Sequence, residues 1–364
     1  MDDRWAWVAL ALVPELGRDA RRYHDLLRLG SPVEVLGASR WALASVAGDD
    51  LAAAIAGFDA SRAAGRQAES AALAGARLVL QGDPEYPALL RQIPLPPPFL
   101  LVRGTLARED ALSVAIVGSR RATAYGLRMA GRLGRDLAAR GATVVSGLAR
   151  GVDTAAHRGA LAGGGRTVAV LGSGVDVVYP PENRDLAREI ARAGAVVSQF
   201  PMGAPPLPHH FPLRNRVIAG LGLGAVVVEA AERSGALITA RCAAEVGREV
   251  YAVPGNASSV SSQGTNALIR DGARLVQTWE DVVAEWPPQW RAALRQVPAE
   301  AAPAPAPPDP GERAILAQLG DDPVEMDAVI AGSGLPSGRV AAGLTALEVR
   351  GLVRRLAGQR YVRS

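Results

Sequence analysis

Short apolar runs alternate with helical periods through the middle of the chain. Residues 114–117 form a β-branched run closed by Gly118, which predicts a buried parallel strand. From residue 124 to 140 the apolar positions Leu127, Ala130, Leu133, Leu137 and Ala138 recur every three to four residues, which predicts a helix. A second strand is predicted at 143–145 and a second helix at 152–161. The alternation continues with strands at 167–171, 195–198, 225–228 and 250–253, and helices at 183–193, 211–221 and 236–246. A last helix at 278–283 closes it. Successive strand–helix–strand units require right-handed crossovers. The expected fold is therefore α/β, a Rossmann-like parallel sheet core with ligands beyond the carboxyl ends of its strands.

The flanks follow other patterns. Residues 5–13 are apolar, 14–17 read as a turn, and 19–29 are amphipathic. Pro32 stands at the first position of another helix, and 42–58 continues the helical pattern. A small all-helical, SAM-like domain is expected over 1–77, weighted toward packing or protein contact over nucleic-acid contact. A short strand at 78–80, a proline-rich connector at 82–98 and a strand at 99–102 lead into the central domain, expected over 78–285. A Pro/Ala-rich stretch predicts a semi-rigid linker over 286–311. The tail, 312–364, predicts helices at 312–319, 324–330 and 337–350 and a hairpin around Ala357 and Gly358, the pattern of a winged helix. Its presumed recognition helix offers only Arg339 and Arg350 as cations, so DNA contact and protein contact both stay open.

Composition adds limits. The 364 residues are 49% hydrophobic, enough for a large core, and carry a net charge of +4. All 40 basic residues are Arg, in keeping with a bias toward Ala, Gly, Pro and Arg. Arginine nonetheless binds phosphate with two parallel donors where lysine offers a point charge. The single Cys242 excludes an internal disulfide, and four scattered His give no zinc spacing, so neither metal nor cofactor is expected. The acidic start lacks the basic region of a signal peptide, and no apolar run reaches the roughly 18 residues of a membrane span. A cytoplasmic location is expected.

Two predicted strands end in loops that combine Gly, Ser and Arg: Gly118, Ser119, Arg120 and Arg121, then Ser146, Gly147, Arg150 and Gly151. Small residues admit a ligand to the backbone, helix-start amides face an anion, and Arg adds a forked donor. Phosphate is the expected ligand. A dinucleotide site would instead show G-x-G-x-x-G and an acid ending the second strand, and Gly172-Ser173-Gly174 is only a lone G-x-G. A second cluster, Phe211 to Arg216, places Asn215 between Arg214 and Arg216. Those arginines lie two apart and cannot share one helical face. Phe211 fits either the core or a stacking platform for a base. Ser234 and Gly235 suggest a capped helix start with an approachable amide. Asp153 and His157 stand four apart on one helix face, a spacing that suits acid–base chemistry or, the favoured reading, a hydrogen bond that holds the loop.

These motifs, with Phe-Pro-x-Arg-Asn-Arg, Ser-Gly-Ala-Leu-Ile-Thr-Ala, Tyr179-Pro180, Val253-Pro254-Gly255 and Gln263-Gly264-Thr265-Asn266, resemble the DNA-processing DprA (Smf) family over about residues 82–277. The resemblance implies a homodimer that binds single-stranded DNA without catalysis and loads the recombinase RecA during natural transformation. Single-strand-binding protein is a further possible partner. The resemblance places the DNA groove at Gly118, Ser119 and Arg120 and at 211–216, with Phe211 stacking on a base. The chain departs from the family at Gln199, where a Glu is usual, and at Gly222, where Ser is common. The alternative is a nucleotide-processing Rossmann enzyme related to phosphoribohydrolases. Those carry Pro-Gly-Gly-x-Gly-Thr-x-x-Glu, whereas here Asn256 follows Pro254-Gly255 and Gly264-Thr265 has no Glu three later. The binding reading is preferred.

Overall fold

Polar caps set the starts of the amino-terminal helices. In this computed structural model, which describes residues 2–14, 16, 20–297, 308–320, 322–356 and 358–363, helix α1 (Asp3–Ala11) begins where Asp2 accepts the Arg4 N–H. After α2 (Ala20–Leu26), α3 (Pro32–Gly37) starts with a reciprocal Ser31–Glu34 capping box and Pro32 in its first turn. The period read as continuous over 42–58 is two helices, α4 (Arg40–Ala47) and α5 (Asp49–Ala56). Gly48, at φ +83°, turns the chain between them. Helix α6 (Ala60–Leu73) follows, capped by Asp59. Residue 19 and part of the turn predicted at 14–17 lie outside the described residues.

The first eight strands follow the predicted runs closely, and the ninth, a two-residue strand, was not predicted. They are β1 (Ala76–Leu80), β2 (Phe99–Gly104), β3 (Ser113–Val117), β4 (Thr143–Ser146), β5 (Thr167–Val170), β6 (Ala195–Ser198), β7 (Gly224–Val227), β8 (Glu249–Ala252) and β9 (Arg274–Leu275). Among the described residues they form one sheet in the order β1-β2-β6-β5-β4-β3-β7-β8-β9. Strands β6 through β9 are parallel, while β1 and β2 add an antiparallel edge. The proline-rich connector is not purely extended. It contains the short α7 (Ala88–Arg91), pinned because the buried Tyr86 hydroxyl donates to Pro97 O at 2.7 Å.

Successive side chains of a strand point to opposite faces, and the helices divide accordingly. Helices α8 (Ala124–Ala139) and α9 (Val152–Ala162) cover the face carrying Val114, Ile116 and Val144. Helices α11 (His210–Leu221) and α12 (Gly235–Glu245) cover the face carrying Ala115, Val117 and Val145. Helix α10 (Arg184–Ala193) packs Leu186 and Ile190 beside Phe99 and Leu101. Val8 and Ala71 join that same core, so the boundary expected at 77 falls inside one compact unit, Met1–Val297. From β3 the chain steps outward through β4, β5 and β6, then returns to place β7 on the other side of β3. The crevice between the carboxyl ends of β3 and β7 is the topological switch point, where such sheets hold ligands.

The linker expected from 286 begins later. After α13 (Val260–Arg270) and α14 (Trp279–Val283), Trp286 is buried against the α8 face, and α15 (Pro288–Ala292) continues the packing with Trp290 and Leu294. Large aromatics in that stretch outweighed its proline signal. Much of the Pro/Ala segment, 298–307, lies outside the described residues.

The second unit, Pro298–Ser364, has its own core around Ile315, Val329, Val340, Leu344 and Tyr361. Its helices are α16 (Pro310–Leu316), α17 (Met326–Ser333) and α18 (Ser337–Val349). Its strands β10 (Val324–Glu325), β11 (Val353–Leu356) and β12 (Arg360–Arg363) pair in the order β10-β12-β11, the winged-helix pattern. Val324 and Glu325, expected to open a helix, instead pair with Tyr361 and Arg360, and α17 runs on until Gly334 ends it at φ +66°. Among the described residues no helix is long and apolar enough to cross a membrane.

Trp286 closes the core of the first unit, 2% exposed. Trp286→Ala should lower the unfolding free energy by about 3–5 kcal/mol, read as a shift of the urea midpoint. A change under about 1 kcal/mol would return this segment to a loosely attached linker.

Candidate nucleic-acid interface

The loop after β3 is tied across the switch point. Glu229, just beyond β7 and 2% exposed, accepts the Thr123 N–H at 2.9 Å and the Thr123 hydroxyl at 2.6 Å. Thr123 Oγ1 in turn accepts the Gly126 N–H and caps α8. A Cβ on Gly118 would stand 2.7 Å from the Val152 side chain and 3.0 Å from Glu229 O, so only glycine fits there. Ser119 turns inward: its hydroxyl accepts the Arg121 N–H at 3.1 Å, and its carbonyl accepts the Val152 N–H at 3.2 Å. Arg120 and Arg121 are left exposed, with no ion pair among the described residues.

A buried network holds the loop after β4. Asp153 accepts the N–H groups of Gly147 (3.0 Å) and Ala149 (3.3 Å). Arg214, 4% exposed, donates through Nη1 to Gly147 O at 2.5 Å and Val170 O at 2.7 Å. Asn183 donates to Leu148 O at 2.8 Å. Burial pushes the Asp153 carboxyl up, against the opposing pull of Arg214 and the two backbone donors. Burial lowers Arg214 to about 10, with Asp153 opposing and Arg120 adding to the fall.

Between these loops and the start of α12 lies a cleft of about 570 Å³. Arg120, Arg121, Arg214 and Arg233 line it against a single carboxylate, the occupied Asp153. Phe211 is half-buried in its wall, 5.4 Å from the Arg120 guanidinium, 5.7 Å from that of Arg214 and 6.0 Å from the Tyr179 ring. Gly172 makes room for it, since a Cβ there would lie 3.0 Å from Phe211 Cδ1. The lone G-x-G is thus a seat for an aromatic ring. At the far wall Ser234 caps α12 by accepting the Ala236 N–H, and Gly235 presents an open backbone. Glycine, helix-start amides and forked cations converge on one space, which suits a chain of phosphates with bases beside them.

Most of the residues expected at the site meet here: Gly118, Ser119, Arg120, Arg121, Phe211, Arg214, Asn215, Ser234 and Gly235. Asn215 is largely engaged, its amide donating to Gly235 O at 3.4 Å. Others do not join them. Ser146 is buried and donates to Ile116 O at 2.6 Å, so it stiffens the sheet. Gly151, at φ +75°, packs against the Ser119 carbonyl as a close-approach position. Arg216 turns away to Pro94 O, because two residues along a helix is more than half a turn. Gly147 and Arg150 line a smaller side recess, where Arg150 is paired with Glu182. Arg233, Ile238 and Thr239 line the main cleft and were missed. Arg233 could have been found, since Arg-Ser-Gly repeats the chemistry of the first loop.

Asp153 and His157 do not act as a pair. His157 is fully buried, and its Nδ1 lies 2.7 Å from Thr167 Oγ1. Burial, then Arg214, lowers it to about 3, so it is neutral and shut away from the cleft.

The fold and this cleft define a Rossmann-like protein with an arginine-lined crevice at its switch point, joined to a winged helix. The chain belongs to the family described as DNA recombination-mediator protein A, which matches residues 77–287, and the DprA winged helix domain matches 299–359. It is 36% identical over 314 residues to Protein Smf of Synechocystis, covering 77% of this chain and 78% of that one. The structure of DNA processing protein A from Streptococcus pneumoniae superposes with a TM-score of 0.67 at 34% identity, over 78% of this chain and 97% of that chain. DNA processing protein A of Helicobacter pylori, whose structure describes a single-stranded DNA binding mode, gives 0.52 at 28% identity, over 57% of this chain and 94% of that chain.

The buried imidazole makes stability depend on pH. Its value is about 3 in the native protein against an ordinary 6.5, so between those limits the unfolded chain takes up a proton that the native one does not. Native stability should therefore fall as pH drops below 6.5, with His157 contributing up to about 1.4 kcal/mol per pH unit. Urea titrations across this range should show a shallower acid slope for His157→Leu. Equal slopes would mean that the native imidazole titrates normally.

Proposed function

We propose that this chain binds single-stranded DNA in the switch-point cleft and passes it to a RecA-type recombinase, without catalysis of its own. The observation that carries the proposal is Phe211, a half-exposed aromatic set between two guanidiniums in a cleft of four arginines. Arginines take phosphates, and an aromatic face takes a base of any sequence. Membership of the recombination-mediator family and the single-strand binding described for the Helicobacter pylori relative support the same ligand. The enzyme alternative gains little from the cleft, whose one carboxylate is buried and spent on two backbone N–H groups. In this reading the protein works in the cytoplasm as a homodimer during uptake of foreign DNA, displacing single-strand-binding protein as the recombinase loads.

Anisotropy titrations of labelled oligonucleotides across a salt series test the cleft. Arg120→Ala should weaken binding with unchanged melting and reduce the logarithmic salt slope by roughly 0.7, the loss of one single-strand phosphate contact. Arg214→Ala should lower binding and melting together, because its guanidinium also joins two strand ends. An unchanged slope for Arg120→Ala would remove that residue from the interface.

Phe211→Ala should lose roughly 1–3 kcal/mol of DNA binding with little change in melting. A core Phe would instead lose roughly 3–5 kcal/mol of stability with affinity intact. For the mediator role, RecA filament formation on strands coated with single-strand-binding protein should rise when the chain is added and fall back with Arg120→Ala. Tight DNA binding with no stimulation at any stoichiometry would leave a DNA-protecting protein.

A further inference from the structure

The loop ending at Arg121 runs directly into α8, and the outer face of that helix continues the charge of the cleft. Tyr125, Arg128, Arg132 and Arg135 follow one another at spacings of four and three residues, so they share one face. Arg158 of α9 lies opposite, and an open groove of about 720 Å³ runs between the two helices. Among the described residues four arginines line it and no carboxylate does. Its floor is bare backbone at Gly131, where an added Cβ would meet only Ala155 O at 3.8 Å.

Asp136 pairs with Arg132 (3.6 Å) and with Arg135 (3.2 Å). Arg128 and Arg158 have no acidic partner among the described residues. Arg128 and Arg132 are four apart, a like-charge spacing that destabilises a helix unless something anionic lies over it. Tyr125 stands at the groove end nearest the cleft, 39% exposed. Its hydroxyl donates to Pro254 O at 2.9 Å, which fixes the ring as a rigid surface.

We propose that the groove between α8 and α9 is a second strand-binding segment, which takes the phosphate backbone of a DNA strand leaving the switch-point cleft past Arg121 and Tyr125. The ten helical steps from Tyr125 to Arg135 span about 15 Å of helix. That is room for about four phosphates at the 3.4 Å spacing of a stacked strand. Continuity with the cleft, and arginines as the charged residues of a lining that otherwise holds Tyr125, Leu127, Met129 and small residues, favour a nucleic acid over an acidic protein. The proposal rests on the single-strand reading of the cleft.

The test uses the 364-residue chain, a short oligothymidylate of about 6 nucleotides and a longer one of about 16, the range of single-strand site sizes. Wild-type protein should bind the longer strand more tightly and with a steeper salt dependence. The triple substitution Arg128→Ala, Arg132→Ala, Arg158→Ala should keep the short-strand affinity and lose most of the length-dependent gain. Its salt slope on the longer strand should fall by roughly 2, at about 0.7 per phosphate contact. The triple Arg→Lys variant should restore much of that slope, since charge alone meets a phosphate. Unchanged long-strand affinity and slope in the triple Ala variant would overturn the groove while leaving the cleft reading intact. Equal losses at both lengths would also overturn it. If Arg120→Ala and Phe211→Ala both leave short-strand binding untouched, the cleft reading fails, and the groove proposal falls with it.

Discussion

A buried guanidinium holds the site together. Arg214 reaches through the sheet end to the carbonyls of Gly147 and Val170, and so locks the loop after β4 to the end of β5. Burying that charge is costly, and the cost is tolerated because Asp153 supplies the opposing charge while spending its own oxygens on the Gly147 and Ala149 N–H groups. Removing Asp153 would leave the buried Arg214 charge without a counterion, while removing Arg214 would push the Asp153 carboxyl further toward its neutral form. The same arrangement puts Arg214 on the cleft floor, so one side chain supports the loop and adds positive potential to the ligand space.

The other loops are held as firmly. Glu229 clamps Thr123 across the switch point, and Asn215 holds the start of α12 through Gly235 O. Asn266 binds both the N–H and the carbonyl of Gly255, at 3.2 and 3.1 Å, while Gly264 donates to Ala230 O behind β7. Motifs that look like separate ligand-binding signals along the chain are therefore partly mutual supports. A cleft built this way is preorganised, and a preorganised site loses little conformational freedom on taking up any ligand.

Arginine content alone says little about which surfaces bind. Many of the 40 are structural: Arg166 pairs with Asp110, Arg4 with Asp83, Arg274 with Glu285, and Arg150 with Glu182. Arg120, Arg121 and Arg233 line the switch-point cleft with no ion pair among the described residues. The net charge of +4 thus averages over two populations, one neutralised in place and one left open to an anion.

From the residues alone came the α/β alternation, the positions of the eight long strands of the large sheet to within a residue or two, and the Gly-Ser-Arg loops at their ends, but not the two-residue strands β9 and β10. Those features are local: a β-branched run, a helical period and a Gly-Ser-Arg loop each carry their signal in adjacent residues. The sequence also held the family resemblance, since many separate motifs agreed in order. What it left undecided depended on contacts between distant residues. Arg214 and Arg216 read alike along the chain, yet helical rotation buries one and turns the other toward Pro94. Phe211 could have been core until Gly172, thirty-nine residues earlier, was seen to seat it at the cleft wall. Trp286 looked like the start of a linker until the α8 face closed over it. Local patterns choose the elements, but which face of an element meets solvent is decided by what packs against it, and that belongs to the tertiary structure.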